Sequence, residues 1–464
     1  MARRPVVFVH GYGTDERGFG ALRQGLIDAG YTPSDLHLVR YVSLSDEVSV
    51  RRLADAFELA VQERIRDNSF DTVVHSTGVV IVREWLRRAP EASKRLRHLV
   101  ALAPANFGSP SAPRARSLAG RAVRGLGMLA RGDGGDFITP WSEDFLEVGG
   151  RLLHDLELAS PISWDLAMDE IEGERWGRGD GDKDVPATFV IGGLSEYDDA
   201  EMARRRPGPG TDGTVRISGM GLDIDYLGLD LIPSAPEDGR IDFRPAPERM
   251  ARPLLVIGLN HASVKAGPSD DTDDVAHQAY AVVKEWLADA LSKEGPDDYA
   301  RWSRDVATAS ADQIERSHRA SWLQFVVRLV DETSRPIAVD WTLELDVDGH
   351  AIGAFERGAH THSEDPSLRC FHLAVTDQLM AAEEATLRVI TMPETKRFGY
   401  LGVGSRRQAD RGASHISAEI TLALGEHERP VRLFRRNATT LIQIRLDGRP
   451  GPPESQTALL SFVD

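Results

Sequence analysis

Between Asp71 and Leu86 the sequence reads Asp-Thr-Val-Val-His-Ser-Thr-Gly-Val-Val-Ile-Val-Arg-Glu-Trp-Leu, and this run restricts the chain more than any other. Thr72, Val73 and Val74 are β-branched and favour a pleated strand. The run from Val79 is apolar and helix-compatible, so His75-Ser76-Thr77-Gly78 reads as a tight strand-to-helix turn. Such a turn lifts a serine hydroxyl out of the sheet. The first amides of the next helix then point at whatever stands before that hydroxyl. Gly78 suits a place where strand and helix approach too closely for a Cβ.

Around this turn, apolar strands alternate with helical stretches. Pro5 to Val9 reads as a buried strand that breaks into His10-Gly11-Tyr12-Gly13. A dinucleotide-binding loop would carry a third glycine at position 16, which is Glu16. A helix from Phe19 to Ala29, a stop at Gly30, a strand from Leu36 to Val42 and a helix from Val48 to Arg66 lead to the serine turn. Further buried strands read as Pro186 to Gly193 and Pro253 to Leu259. Strand and helix in alternation predict a parallel sheet with helices on both faces.

Three of these loops carry a resemblance. His10-Gly11-Tyr12-Gly13, Val74-His75-Ser76-Thr77-Gly78, and the stretch from Ala101 to Pro110 after the next strand resemble serine esterases and lipases of the α/β-hydrolase superfamily. Bacterial lipase-like members with an added C-terminal β domain are the most similar. The likeness is good over residues 5 to about 110 and moderate over 185 to 265, with Val74 in place of the first glycine of G-x-S-x-G. It implies an α/β-hydrolase fold: a mostly parallel sheet flanked by helices, with Ser76 as nucleophile. The amides of Tyr12 and Thr77 would form the oxyanion hole, where each donor is worth ~10²–10³ in rate.

In this superfamily the nucleophile is followed by an acid and then by a histidine. Asp212, in Gly210-Thr211-Asp212-Gly213-Thr214-Val215, is the expected acid because a D-G-x-V turn matches the acid loop of many lipases. Glu196, Asp198 and Asp199, nearer the preceding strand, are the alternatives. His261 follows the last core strand, where the general base belongs; His154 and His277, in helical or cap segments, lack that position. His10 reads as a buried histidine that satisfies loop backbone. Residues 108–185 mix glycine-rich and apolar pieces, as a lid or cap over an acyl pocket would, and both a moving lid and a fixed cap fit.

From Trp322 the period shifts to two. Short strands are expected at Leu323–Val330, Ala338–Val347, Cys370–Val375, Thr386–Ile390, Ile416–Leu424, Val431–Phe434, Leu441–Leu446 and Leu459–Val463. Asp348-Gly349 and Asp447-Gly448 are hairpin turn signals. The expected organisation is a catalytic domain over 1–310, with the cap insertion at 108–185, and an all-β sandwich domain over 318–464. Between them, a helix from Val275 to Leu291 precedes a turn at Gly295-Pro296-Asp297-Asp298 and a polar run to about Ser317.

A net charge of −17 argues against nucleic acid as a partner. The β domain is nearly neutral, with 17 Lys and Arg against 20 Asp and Glu in 318–464. Its basic clusters, Arg406-Arg407 and Arg432, Arg435, Arg436, read either as peripheral lipid or partner contacts or as a solvated face. With Cys370 alone, no intrachain disulfide can form. The apolar run before His10 is four residues, too short for a signal-peptide core, and no stretch approaches a transmembrane span of ~20 residues. Cytoplasmic localisation is the expectation. No cofactor or metal is expected: Ser269 to Asp274 lacks the glycine and terminal glutamate of a calcium loop, and no zinc spacing or phosphate loop is present. The implied activity is a serine carboxylic-ester hydrolase, lipase- or phospholipase-like, on a small-molecule or lipid ester. An acyltransferase with the same triad and a catalytically silent binding scaffold are the alternatives.

Overall fold

The computed structural model describes residues 3–11, 16–41, 48–66, 68–113, 150–172, 186–197, 208–232, 235, 239–246, 252, 254–268, 274–293, 295–317, 319–337, 340–353, 355, 359–392, 416–424 and 431–446. The chain divides into two compact units, 1–223 with 247–320, and 224–246 with 321–464.

The first unit is built on a parallel sheet. Its strands are β1 (Val6–Val9), β2 (Leu36–Val39), β3 (Phe70–His75), β4 (Leu96–Leu102), β5 (Ala187–Gly193) and β8 (Leu254–Ile257), in the order β2-β1-β3-β4-β5-β8. Every neighbouring pair is parallel. Strands inside such a sheet are buried on both faces; β1 (Val-Val-Phe-Val) is an unbroken, fully buried apolar run. Around them lie α1 (Gly20–Asp28), α2 (Val50–Arg64), α3 (Gly78–Arg88), α6 (Asp274–Ala290) and α7 (Pro296–Ser317). One core packs β3 and β4 against α2 and α3 through Val74, Phe57, Val80 and Trp85. On the opposite face, Phe8, Val73, Phe189 and Ile257 meet Leu22, Val283 and Trp302. Chain order reverses between β1 and β3, because β2 lies on one side of β1 and β3 on the other. In an open parallel sheet, ligand sites form at the carboxyl ends of strands at such a reversal.

The stretch read as a polar run is α7. Trp302, Val306 and Ser310 are buried at helical spacing, and the Ser310 hydroxyl donates to the Leu254 carbonyl at 2.5 Å. The Val256 N–H donates back to Ser310 Oγ at 3.1 Å, so the helix satisfies backbone along the edge strand β8. Within the expected cap, two helices are described: α4 (Gly150–Asp155) and α5 (Pro161–Ile171). Their Leu152, Leu153, Leu156, Ile162 and Leu166 belong to the α2–α3 core. The rest of the cap expectation, 114–149 and 173–185, lies outside the described residues.

The second unit holds two sheets around one core. The first is β11-β10-β14-β15, from β10 (Asp340–Val347), β11 (His350–Ala351), β14 (Glu384–Met392) and β15 (Ile416–Ala423). The second is β12-β13-β9-β16-β6-β7, from β6 (Asp225–Asp230), β7 (Ile241–Arg244), β9 (Trp322–Val330), β12 (His360–Thr361), β13 (Leu368–Ala374) and β16 (Thr439–Arg445). Alternate residues of β10 (Trp341, Leu343, Leu345, Val347) and of β9 (Leu323, Phe325, Val327, Leu329) share that core, as in a sandwich. Asp348 and Gly349 turn with φ of 48° and 78°, the primed geometry that a two-residue hairpin favours.

Two expectations need correction. The boundary at 310 and 318 omits residues 224–246, whose β6–β7 hairpin belongs to the second unit; β6 runs parallel to β16 from Asp225↔Thr440 to Asp230↔Arg445. Val431–Phe434 is not a strand. Val431, Leu433 and Phe434 enter the core from an irregular segment, while Arg432 turns to Asp225 at 3.3 Å. Arg435 pairs with the same buried carboxylate at 3.2 Å, so these two arginines of the basic cluster neutralise an interior charge. Arg406-Arg407, Asp447-Gly448 and Leu459–Val463 lie outside the described residues.

Candidate active site

Ser76 follows the last residue of β3 and stands at φ 53°, a left-handed conformation that a residue bearing a Cβ adopts at a cost of about 1–3 kcal/mol. The surroundings hold it there. Its N–H donates to the Leu102 carbonyl at 3.0 Å, and its own carbonyl accepts from the Ala105 N–H at 3.2 Å. Two glycines admit the turn: a Cβ on Gly78 would lie 2.7 Å from the Val9 carbonyl oxygen, and one on Gly11 would lie 2.6 Å from Ser76 Cβ. Val74, where related motifs place glycine, is fully buried in the α2–α3 core, so its bulk fills a packed site.

Loops after β5 and β8 bring two more side chains to this turn. The His261 Nδ1–H donates to Asp212 Oδ2 at 2.8 Å, and the Ser76 hydroxyl donates to His261 Nε2 at 3.0 Å. The other carboxylate oxygen of Asp212 accepts from the Thr214 N–H at 3.0 Å and the Val215 N–H at 2.8 Å. That is what the D-G-x-V turn accomplishes: its backbone satisfies one oxygen and leaves the second for the imidazole. The Asp212 carbonyl also accepts from the His261 N–H at 2.9 Å, which ties the two loops together through their backbones. Asp212 is fully buried and His261 is 7% exposed. An imidazole whose Nδ1–H is held by a carboxylate presents a bare Nε2 to the hydroxyl, as a general base must.

Of the other expected site residues, Thr77 caps α3 with its amide at the helix start, and Tyr12 lies outside the described residues. Glu196 is exposed, and Asp198 and Asp199 lie outside the described residues. His154 pairs with Glu157 in α4 at 3.7 Å, and His277 is exposed on α6. His10 stacks on Tyr41 with ring centroids 4.4 Å apart and donates through Nδ1 to the Gly11 carbonyl at 2.8 Å, serving the loop rather than the serine.

Sequence reasoning missed two features. His75 is buried, and its Nε2–H donates to the His261 carbonyl at 2.9 Å. Burial first, then the nearby charges of His261 and Lys265, holds its pKa well below the ordinary histidine value. The other is a charged network inside the unit. Arg83 on α3 is fully buried and bonds Glu170 of α5 at 2.8 Å and Asn106 Oδ1 at 3.0 Å. Arg252 reaches the second Glu170 oxygen at 3.4 Å, and Asn106 Nδ2 donates to the Met220 carbonyl at 2.6 Å. An arginine in the middle of an apolar helix was the available signal.

No protein-family model matches the chain, and no curated protein does. Among solved structures, phospholipase PlaB from Legionella pneumophila is similar, with a TM-score of 0.73 and 20% identity over 96% of this chain and 94% of that one. The same enzyme in complex with thio-NAD gives a TM-score of 0.70 at 19% identity, over 96% and 94% of the two chains. The fold is an α/β-hydrolase fold. At 96% coverage the likeness takes in residues of both units. Among the described residues no group of histidine, cysteine, aspartate and glutamate is arranged to hold a metal, and no helix is long and apolar enough to cross a membrane.

Proposed function

We propose that this chain is a serine hydrolase of carboxylic esters that works through an acyl-enzyme on Ser76, with lipid esters, phospholipids among them, as its substrate class. The observation that carries the reading is the unbroken hydrogen-bond chain from Asp212 through His261 to a Ser76 held in left-handed conformation. Likeness to a phospholipase directs the choice of ester toward lipids.

The proposed steps use the groups of this chain. Ser76 Oγ attacks the ester carbonyl as its proton passes to His261 Nε2. Asp212 keeps the imidazole in the required tautomer and stabilises its positive charge. The carbonyl oxygen becomes an oxyanion beside the N-terminus of α3, where the Thr77 amide donates; the expected second donor, the Tyr12 amide, lies outside the described residues. Collapse of this intermediate breaks the bond to the alcohol, which leaves with the proton from Nε2. Water then attacks the acyl-serine, gives its proton to Nε2, and releases the acid as Oγ recovers a proton.

Wild-type protein should cleave p-nitrophenyl esters, release fatty acid from phosphatidylcholine vesicles and be labelled by a fluorophosphonate. Ser76→Ala should lose all three, with a drop of ~10⁶ in turnover and an unchanged circular dichroism spectrum. Activity retained in that variant overturns the proposal. Transfer of the acyl group to an added alcohol in preference to water would assign the same triad to an acyltransferase.

A further inference from the structure

Ser76 and His261 are 185 residues apart, yet their hydrogen bond needs sub-ångström placement. The base sits on the loop between β8 and a single helical turn, Ser263–Ala266. Asp212 grips that loop from one side through the His261 N–H and ring. On the other side the grip comes from the residue just before the nucleophile. His75 Nε2–H reaches the His261 carbonyl at 2.9 Å, and the two rings lie 4.8 Å apart, centroid to centroid. Consecutive residues of one strand end therefore hold the backbone and the ring of the same histidine.

We propose that His75 is a positioning residue for the ester hydrolysis: by bonding the His261 carbonyl it fixes the base against the nucleophile strand, so that the Ser76–His261 distance is set across one peptide unit. The inference rests on the triad reading of Ser76, His261 and Asp212. It explains why an imidazole occupies this place. The donor must reach across from the strand end, and the side chain has to stay uncharged, because His261 becomes a cation in the same reaction and like charges this close oppose each other. The far side of the ring agrees. His75 Nδ1 is buried with no hydrogen-bond partner among the described residues, and it faces Gly11, where a Cβ would lie 3.0 Å away. A lone pair tolerates that backbone wall; a second N–H there would be a buried donor without an acceptor.

Two variants and one measurement on the wild-type protein test this. In His75→Asn the amide is too short to reach the His261 carbonyl, whereas in His75→Gln it replaces Nε2 as donor. For a p-nitrophenyl ester, His75→Asn should lower kcat about 10–100-fold with KM within about twofold, and His75→Gln should recover most of the loss. A purely structural residue would lower the amount of folded enzyme and leave its kcat unchanged. Equal kcat in the wild type and His75→Asn overturns the proposal while an inactive Ser76→Ala leaves the triad standing; an active Ser76→Ala defeats the triad reading itself. If His75→Asn does not fold, ring ¹⁵N shifts of the wild-type protein decide. The neutral Nε2–H tautomer at the pH of activity supports the assignment, and the Nδ1–H tautomer or an imidazolium overturns it.

Discussion

The parallel sheet carries a histidine–aspartate pair at each end, and the two pairs are almost superimposable in bond length. Near the amino ends of the strands, His98 Nδ1 lies 2.7 Å from Asp71 Oδ1. Beyond the carboxyl ends, His261 Nδ1 lies 2.8 Å from Asp212 Oδ2. The difference is on the other side of each ring. His98 Nε2 is spent on the Lys293 carbonyl at 2.7 Å, and Asp71 is shared with Arg4 at 3.2 Å. His261 Nε2 faces a hydroxyl. A buried imidazole–carboxylate pair is thus a fastening when both ring nitrogens are satisfied by the fold, and has the geometry proposed for a base when one faces a hydroxyl. The ends of a parallel sheet are not equivalent in this respect, because its loops and helix N-termini face the carboxyl ends.

The largest test of this contrast is in rate. Asp212→Asn should lower kcat by ~10⁴ through the wrong tautomer, whereas Asp71→Asn should leave the kcat of folded protein within about twofold. A large kinetic defect in Asp71→Asn would break the distinction. Next comes stability. Arg83→Leu leaves the buried Glu170 carboxylate with only the longer 3.4 Å contact to Arg252 and should cost about 3–5 kcal/mol in urea denaturation, which would show that charge buried beside α3 can be structural at the carboxyl end too. Asp71→Asn should cost less, about 1–3 kcal/mol by the same assay, because the amide still accepts one bond while Arg4 loses its counter-charge.

The smallest expected effect is in pH dependence. His75 is neutral in the folded protein and has its pKa held down by burial and by His261 and Lys265, with His10 also nearby. The unfolded chain therefore binds a proton that the folded one refuses, so stability is complete above the ordinary histidine value of about 6.5 and falls as pH drops below it. His75→Gln should flatten that part of the profile, measured as denaturation midpoint between about pH 7 and pH 5. An unchanged slope would assign the acid sensitivity to other groups.

Much of this was readable in the sequence, for physical reasons that differ by region. The doubly buried strands announce themselves as apolar runs, and the serine turn needs both β-branched residues before it and a glycine after it. Asp212 and His261 could be chosen because each follows a buried strand in the required chain order, and the structure brings both to Ser76. Helix α7 was obscured because its inward stripe of Trp302, Val306 and Ser310 is narrow and one of its members is polar. Val431–Phe434 alternates like a strand but pairs in no ladder, since Arg432 is committed to Asp225. His75 was hidden by its neighbour: beside a reactive serine, a preceding histidine reads as part of the motif rather than as a contact of its own. The pairing of β6 with β16 joins residues far apart in the chain, which no local pattern encodes.

That last pairing bears on how such a protein can be taken apart. The connection from Asp212 to His261 leaves the first unit, contributes a hairpin to the second unit's sheet, and returns. The β unit is consequently no separable cassette appended to the chain's C-terminal half. A stop codon after Ala320 would leave β6 and β7 as an orphaned ribbon between Asp212 and His261, with Asp225 deprived of Arg432 and Arg435. Recombination that swaps or discards the C-terminal half has to carry residues 224–246 along with it.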